Sequence, residues 1–290
     1  MSADPAVDPQ PLTVLRHDGL TFPVHDSGPV TGGGPPIVLL HGFPQTARSW
    51  DRVTPILQRA GHRTITIDQR GYAPDNRPRR RRDYRLGALT GDIAALITAI
   101  GAEKVHLVGH DWGAAVAWAL AAQRPGRVAT LTSVSVPHPG ALARAMFSSA
   151  QALRSYYMLL FQLPYLPERF AEGRPERFAA ALRRTGMDDQ MIEDVRCDLV
   201  DTGALTGGLH WYRAMALSTP GTLTAPVTVP TTHVWSDGDV ALTRRSADLA
   251  QRYVRGADYR LEVLTGVSHW IPEQAPEALA RIILERIARL

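Results

Sequence analysis

A single cysteine, Cys197, in 290 residues excludes a disulfide framework and a cysteine-rich metal site, and fits a reducing cytoplasm. No uninterrupted apolar run reaches the roughly 20 residues that a membrane span needs. The opening stretch MSADPAVDPQPLT has neither the basic start nor the apolar core of a secretory leader, so the chain reads as soluble, unsecreted and cytoplasmic. Zinc spacings, RNA-recognition motifs and a repeated basic face are missing too. The formal charge of +4 therefore says little about partners, and the basic run Arg77 to Arg85 reads as a solvated surface loop rather than a nucleic-acid site.

What is present suits an ordinary enzyme: 44% of residues are hydrophobic and 21% charged, enough to bury a sizeable core. Leu12–His17 and Leu20–His25 pattern as an opening hairpin about Asp18-Gly19. The apolar runs Ile37–Leu40, Thr64–Asp68, Val105–Val108, Leu131–Val136, Thr232–Trp235 and Leu261–Leu264 read as buried strands. Helical patterns at Asp51–Ala60, Leu86–Ile100, Ala114–Arg124 and Ser246–Tyr253, and another from about Pro276, alternate with them, which predicts a mostly parallel sheet covered on both faces. Residues 139–218 pattern as helices without strand partners. They are expected to form a helical cap inserted into a core made of residues 1–138 and 219–290.

The stretch Lys104 to Ala115, KVHLVGHDWGAA, has the form of a nucleophile elbow, a tight strand-to-helix turn, with Asp111 where a serine usually stands. A serine attacking a saturated carbon would end as an inert ether. An aspartate becomes an alkyl ester whose carbonyl belongs to the enzyme, and water can cleave it. Asp111 thus points to an electrophilic sp3 carbon.

His41-Gly42-Phe43-Pro44, Asp68-Gln69-Arg70-Gly71-Tyr72, Gly109-His110-Asp111-Trp112-Gly113, Val136-Pro137-His138-Pro139, Trp211-Tyr212-Arg213 and Ser268-His269-Trp270 occur in the order found in the α/β-hydrolase superfamily. Over residues 12 to 290 the chain resembles its epoxide hydrolase branch. The resemblance implies an α/β-hydrolase fold with a helical lid, no cofactor and no metal. It implies His269 as the base of the second step and Asp239 as its acid partner, with Asp237 a close rival. The backbone N–H groups of Phe43 and Trp112 would form the oxyanion hole, and Pro44 is a candidate cis proline. Tyr212 and Tyr157 are implied as donors to the opened epoxide oxygen, with Tyr156 the alternative to Tyr157. His41 and His110 would brace the loops around the site.

Phe43, Trp112, Phe161, Trp211 and Trp270 are the expected substrate contacts, and Phe147, Met158 and Met215 extend an apolar cavity. The implied partner is a small apolar epoxide, with neither nucleic acid nor membrane; a homodimer is compatible with this reading. Two rivals remain. A haloalkane dehalogenase shares the Asp-Trp pair, but many have asparagine where this chain has Phe43, and the fluoroacetate dehalogenases follow the nucleophile with arginine rather than Trp112. A non-catalytic binding homologue would not need nucleophile, acid, base and two tyrosines together.

Overall fold

The computed structural model describes residues 11–29, 34–218 and 220–290. The first ten residues, most of the stretch read for a leader, lie outside this range, as does residue 219, where the core was expected to resume.

Eight strands form one sheet: β1 (Val14–His17), β2 (Leu20–Ser27), β3 (Ile37–Leu40), β4 (Thr64–Ile67), β5 (Val105–His110), β6 (Val128–Val134), β7 (Thr231–Ser236) and β8 (Tyr259–Leu264). Their order is β1-β2-β4-β3-β5-β6-β7-β8. The first two strands turn about Asp18 and Gly19, both at positive φ (53° and 71°), as a two-residue hairpin of matching twist requires. β2 then pairs antiparallel with β4, and from β4 to β8 every pairing is parallel.

The inner parallel strands are covered on both sides, which explains their continuous apolar runs, whereas β8, expected to be buried, is an edge strand that is only half-buried. Val38 and Leu40 pack with helices Leu86–Ala99 and Trp112–Gln123 on one face. Ile37 and Leu39 pack with Trp50, Leu57, Leu279 and Ile283 on the other. This is the two-residue alternation of a pleated strand. After β4 the chain crosses to the far side of β3 to lay down β5, so the connections leaving β3 and β5 run in opposite directions along the sheet. Such a switch point is where open α/β sheets hold their ligands.

Several boundaries differ from the sequence reading by one to three residues. The helix expected from Asp51 begins at Thr54, behind a short 3-10 turn at Ala47–Trp50; Pro55 lacks an N–H and is tolerated only in a first turn. The sixth strand begins at Val128, where it meets Val105 before a register shift. The Arg77–Arg85 run is only partly a solvated loop. Arg79 to Arg82 are exposed, but Tyr84 is buried, and Arg77 donates to the carbonyl oxygens of Tyr72 and Thr202.

Between β6 and β7 the described residues form helices and turns and no strand. The helices run from Pro139–Ser148 to Pro220–Thr224, with a π-helical turn at Arg196–Val200. The first of them packs along Arg244–Ala250 beside the sheet. Buried polar links hold the rest: Trp211 Nε1 donates to the Arg70 carbonyl, and Gln151 bonds Ala241 and Thr243.

Candidate active site

Asp111 directly follows β5 and opens the helix Trp112–Gln123, with φ 51° and ψ −120°. Such a conformation is costly for a residue with a Cβ and persists only where surrounding packing enforces it. The neighbouring glycines supply that packing. A Cβ on Gly109 would stand 2.3 Å from the Gly113 carbonyl oxygen, and one on Gly113 would stand 2.2 Å from that of Leu40. The helix can thus press against the end of β3 and hold the aspartate over the switch point.

The carboxylate is buried. Its Oδ1 accepts the Phe43 N–H at 2.8 Å, and its Oδ2 lies 3.5 Å from His269 Nε2. The turn that presents Phe43 contains a cis Phe43–Pro44 bond. His41 braces it: its Nε2 accepts the Gln69 N–H at 3.0 Å, and its carbonyl accepts Gln69 Nε2 at 2.6 Å. Burial favours a neutral Asp111, but the hydrogen bond and charge of His269 and the Phe43 N–H outweigh it and hold the carboxyl below its usual range. The positive end of the helix acts in the same direction.

His269 follows β8. Its Nδ1 bonds Asp239 Oδ2 at 2.7 Å, and the other oxygen of Asp239 accepts the N–H groups of Ala241 and Leu242. The rival Asp237 instead accepts the Gly266 N–H at the surface and makes no bond to the imidazole. The His269 carbonyl receives two donors, His110 Nε2 at 3.0 Å and Ser135 Oγ at 2.9 Å, which fix the loop. Burial disfavours a charged His269, yet the Asp239 and Asp111 carboxylates outweigh it and push the imidazole up to about 10. At neutral pH the pair is therefore carboxylate and imidazolium. At His110 burial prevails, so that imidazole drops to about 4 and stays neutral.

A cavity of about 350 Å³ opens above Asp111 and Trp112, lined by Trp211, Tyr157 and Tyr212 and by apolar side chains that include Phe147, Met158 and Met215. Tyr212 packs edge-on against Trp112, Phe43 and Phe161 with ring centroids 5.0 to 5.4 Å apart. Tyr157 stands 6.2 Å from Tyr212, centroid to centroid, whereas Tyr156 is 63% exposed and is not part of the cavity lining. Burial and the negative charge of Asp111 raise both cavity phenols far above neutrality, so both carry their protons.

Three expected substrate contacts take other positions. Phe43 and Phe161 are not part of the cavity lining; they pack on each other and on Tyr212. Trp270 is turned away from the cavity, buried among Leu182, Met187, Met191 and Val195, with its Nε1 donating to Thr185. Being next to His269 in sequence put it on the opposite side of the loop, where it docks the inserted helices. Two residues were missed. Arg213 donates to Glu168 and to the carbonyls of Phe161 and Leu163, fixing the turn beside Tyr212. Arg154, at the end of the short helix Gln151–Arg154 that precedes Tyr157, donates to the carbonyls of Asp239 and Leu242. Only the Trp-Tyr-Arg context hinted at the first; an arginine in a helical stretch is ordinarily solvated. Among the described residues no group of three or more His, Cys, Asp or Glu side chains is placed to hold a metal ion.

Residues 35–183 match the family model described as the alpha/beta hydrolase fold. The AB hydrolase superfamily protein YfhM of Bacillus subtilis is 35% identical over 279 residues, covering 93% of this chain and 96% of that protein. Epoxide hydrolase A of Mycobacterium tuberculosis is 31% identical over 300 residues, with 89% and 92% covered. The crystal structure of epoxide hydrolase A from Mycobacterium thermoresistibile superposes with a TM-score of 0.80 at 28% identity, over 95% of this chain and 97% of that one.

Proposed function

The chain belongs to the α/β-hydrolase family, in its epoxide-hydrolase branch, and on that premise we propose that it opens a small apolar epoxide to a vicinal diol through an ester on Asp111. The observation that carries this reading is one cavity with a buried carboxylate, backed by a His–Asp pair, at its floor and two protonated tyrosines in its wall. The inserted helices act as a cap that supplies those tyrosines.

In the first step Asp111 Oδ2 attacks an epoxide carbon. The C–O bond breaks, and the departing oxygen takes a proton from Tyr157 or Tyr212. Oδ1, already held by the Phe43 N–H, becomes the ester carbonyl oxygen. Ester formation removes the Asp111 charge, one of the two carboxylates that keep His269 protonated. The imidazolium proton restores the tyrosine, and His269 becomes a neutral base. Water then gives a proton to Nε2 and its oxygen to the ester carbonyl. The tetrahedral oxyanion rests on the Phe43 and Trp112 N–H groups, a kind of contact worth about 3 kcal/mol per donor; collapse expels the alkoxide, which takes the second water proton, and leaves diol, aspartate carboxylate and imidazolium.

His269→Gln separates the steps. The variant is expected to alkylate once and stop, adding one substrate equivalent to the peptide that contains Asp111, as seen by mass spectrometry. An unmodified variant beside an active wild type would overturn the reading.

A further inference from the structure

The helical stretch from Gln151 to Leu163 carries its polar face inward and its apolar face outward. Short helices at Gln151–Arg154 and Tyr157–Leu160, with the turns beside them, wind it almost continuously, so residues three, four and seven apart share a face. Gln151, Ser155 and Met158 form the inner face and line the cavity above Asp111. Gln151 and Ser155 are buried and bonded to each other, and Gln151 also bonds Ala241 and Thr243. Leu153, Tyr156, Leu160 and Leu163 form the outer face with Leu159 beside them, and all five are exposed, Leu153 at 78%. A helix at a protein's surface ordinarily turns its polar side to water. Here the leucines face outward, which marks a surface that binds an apolar partner.

The same part of the molecule holds the mouth of the cavity. Phe147 and Met215 belong to the cavity wall and are nevertheless exposed, so they stand at its opening. The basic run reaches this cavity too. Tyr84 and Leu86 are in its wall, and Arg85 between them is exposed, as are Arg79 to Arg82 just ahead. Asp83 is the one acidic residue from Arg77 to Arg85. On the insertion, residues 139–171 present Arg144, Arg154 and Arg169 to solvent, and their single carboxylate, Glu168, is buried and paired with Arg213. Exposed apolar groups and uncompensated positive charge thus surround one opening.

That combination selects the partner. A second copy of this chain would set the patch against itself, arginine against arginine, with no carboxylate of residues 139–171 free to pair them. An anionic leaflet accepts both components: its headgroups take the arginines, while leucine and tyrosine side chains lie at the acyl boundary. No helix of the described residues is long and apolar enough to cross a membrane, so the attachment is to the surface alone. We propose that the face around the cavity mouth docks on an anionic lipid surface, through the outer side of Gln151–Leu163 and the Arg79–Arg85 run. Docking brings the mouth against the layer in which an apolar epoxide dissolves, a consequence that rests on the reaction proposed above; the docking itself does not.

Sedimentation with vesicles, in the absence of substrate, therefore tests the docking apart from the reaction. Wild type is expected to pellet with vesicles of equal parts phosphatidylcholine and phosphatidylglycerol, and to stay in solution with phosphatidylcholine alone. Arg79→Gln combined with Arg80→Gln should weaken partitioning about 25-fold, because one basic residue near such a surface contributes about fivefold. Leu153→Ser combined with Leu159→Ser should weaken it about tenfold or more. All four side chains are exposed, so both variants should keep the wild-type Tm. Pelleting with neither lipid, equal pelleting with both, or a loss confined to one of the two variants would overturn the proposal. So would a concentration-dependent dimer, seen by analytical ultracentrifugation and abolished by the leucine changes, since the face would then belong to a second copy.

Discussion

The rim of the sheet and the helices inserted after β6 contribute opposite kinds of chemistry. The rim supplies charge held on rigid backbone: Asp111 at a strained elbow, His269 after β8, and Asp239 with both oxygens bonded. The insertion supplies neutral phenols and a surface rich in exposed apolar side chains, Phe147 at 94%, Leu159 at 74% and Tyr165 at 71%. The rim is positioned by strand ends, which tolerate little adjustment. The insertion is positioned by side-chain contacts such as Arg213 with Glu168 and Gln151 with Thr243, which another sequence could replace. A division of this kind lets the reaction stay fixed while the substrate varies.

The rim is where a single atom should matter most. Asp239→Asn keeps the shape but removes the charge that orients and holds His269, and turnover is expected to fall by about 10⁴-fold, the loss this change causes in a serine-protease triad. Asp237→Asn, on the same loop, should leave turnover unchanged and stability within about 0.5 kcal/mol. Steady-state kinetics and thermal melts on the two variants check the contrast. Equal losses in both would mean that the loop as a whole, not the one bonded carboxylate, supports the histidine.

In the insertion the corresponding contrast is between adjacent tyrosines. Tyr157→Phe and Tyr212→Phe should each slow alkylation by an epoxide, and together reduce it by about 10²–10⁴-fold, the usual contribution of a general acid. Tyr156→Phe should do nothing measurable. Halide release from any haloalkane that the protein accepts should be nearly indifferent to all three, since a departing halide needs no proton. Epoxide turnover surviving in the double variant would reduce the insertion to a packing role.

These contrasts also show what sequence can and cannot reveal. Strands β3 to β8 were legible from their apolar runs and the first two from the Asp18-Gly19 hairpin turn; the elbow at Asp111 was legible because its turn requires flanking glycines, and His269 only through the family resemblance. Asp237 and Asp239 could not be separated in sequence, since both lie on one short loop and only the path of its backbone decides which carboxylate meets the imidazole. Tyr156 and Tyr157 posed the same problem within one helical turn. Trp270 was misplaced because adjacency in sequence says nothing about the side of a loop that a side chain takes. Glu273 gave no signal at all: a glutamate early in a helix is ordinarily a solvated residue that favours the helix start, whereas here its carboxyl is turned inward and buried against Gln45 of the loop after β3.

That burial gives the smallest expected effect, located at the seam where rim and insertion meet. The Glu273 carboxyl titrates near 4.5 when unfolded and about 8 when folded. Between those values the folded chain keeps a proton that the unfolded chain has released, so its contribution to stability is full below about pH 4.5 and is lost as pH rises through about 8. His269, raised from 6.5 to about 10, has the same sign over a higher window. Comparing wild type with Glu273→Gln largely cancels the histidine, which both proteins share. The difference in Tm, wild type minus variant, should be most positive near pH 5, shrink steadily toward pH 8 and be level above it. A difference that stays flat from pH 5 to 8 would mean that Glu273 meets solvent as freely as any surface glutamate, and that the insertion does not seal the seam against the rim.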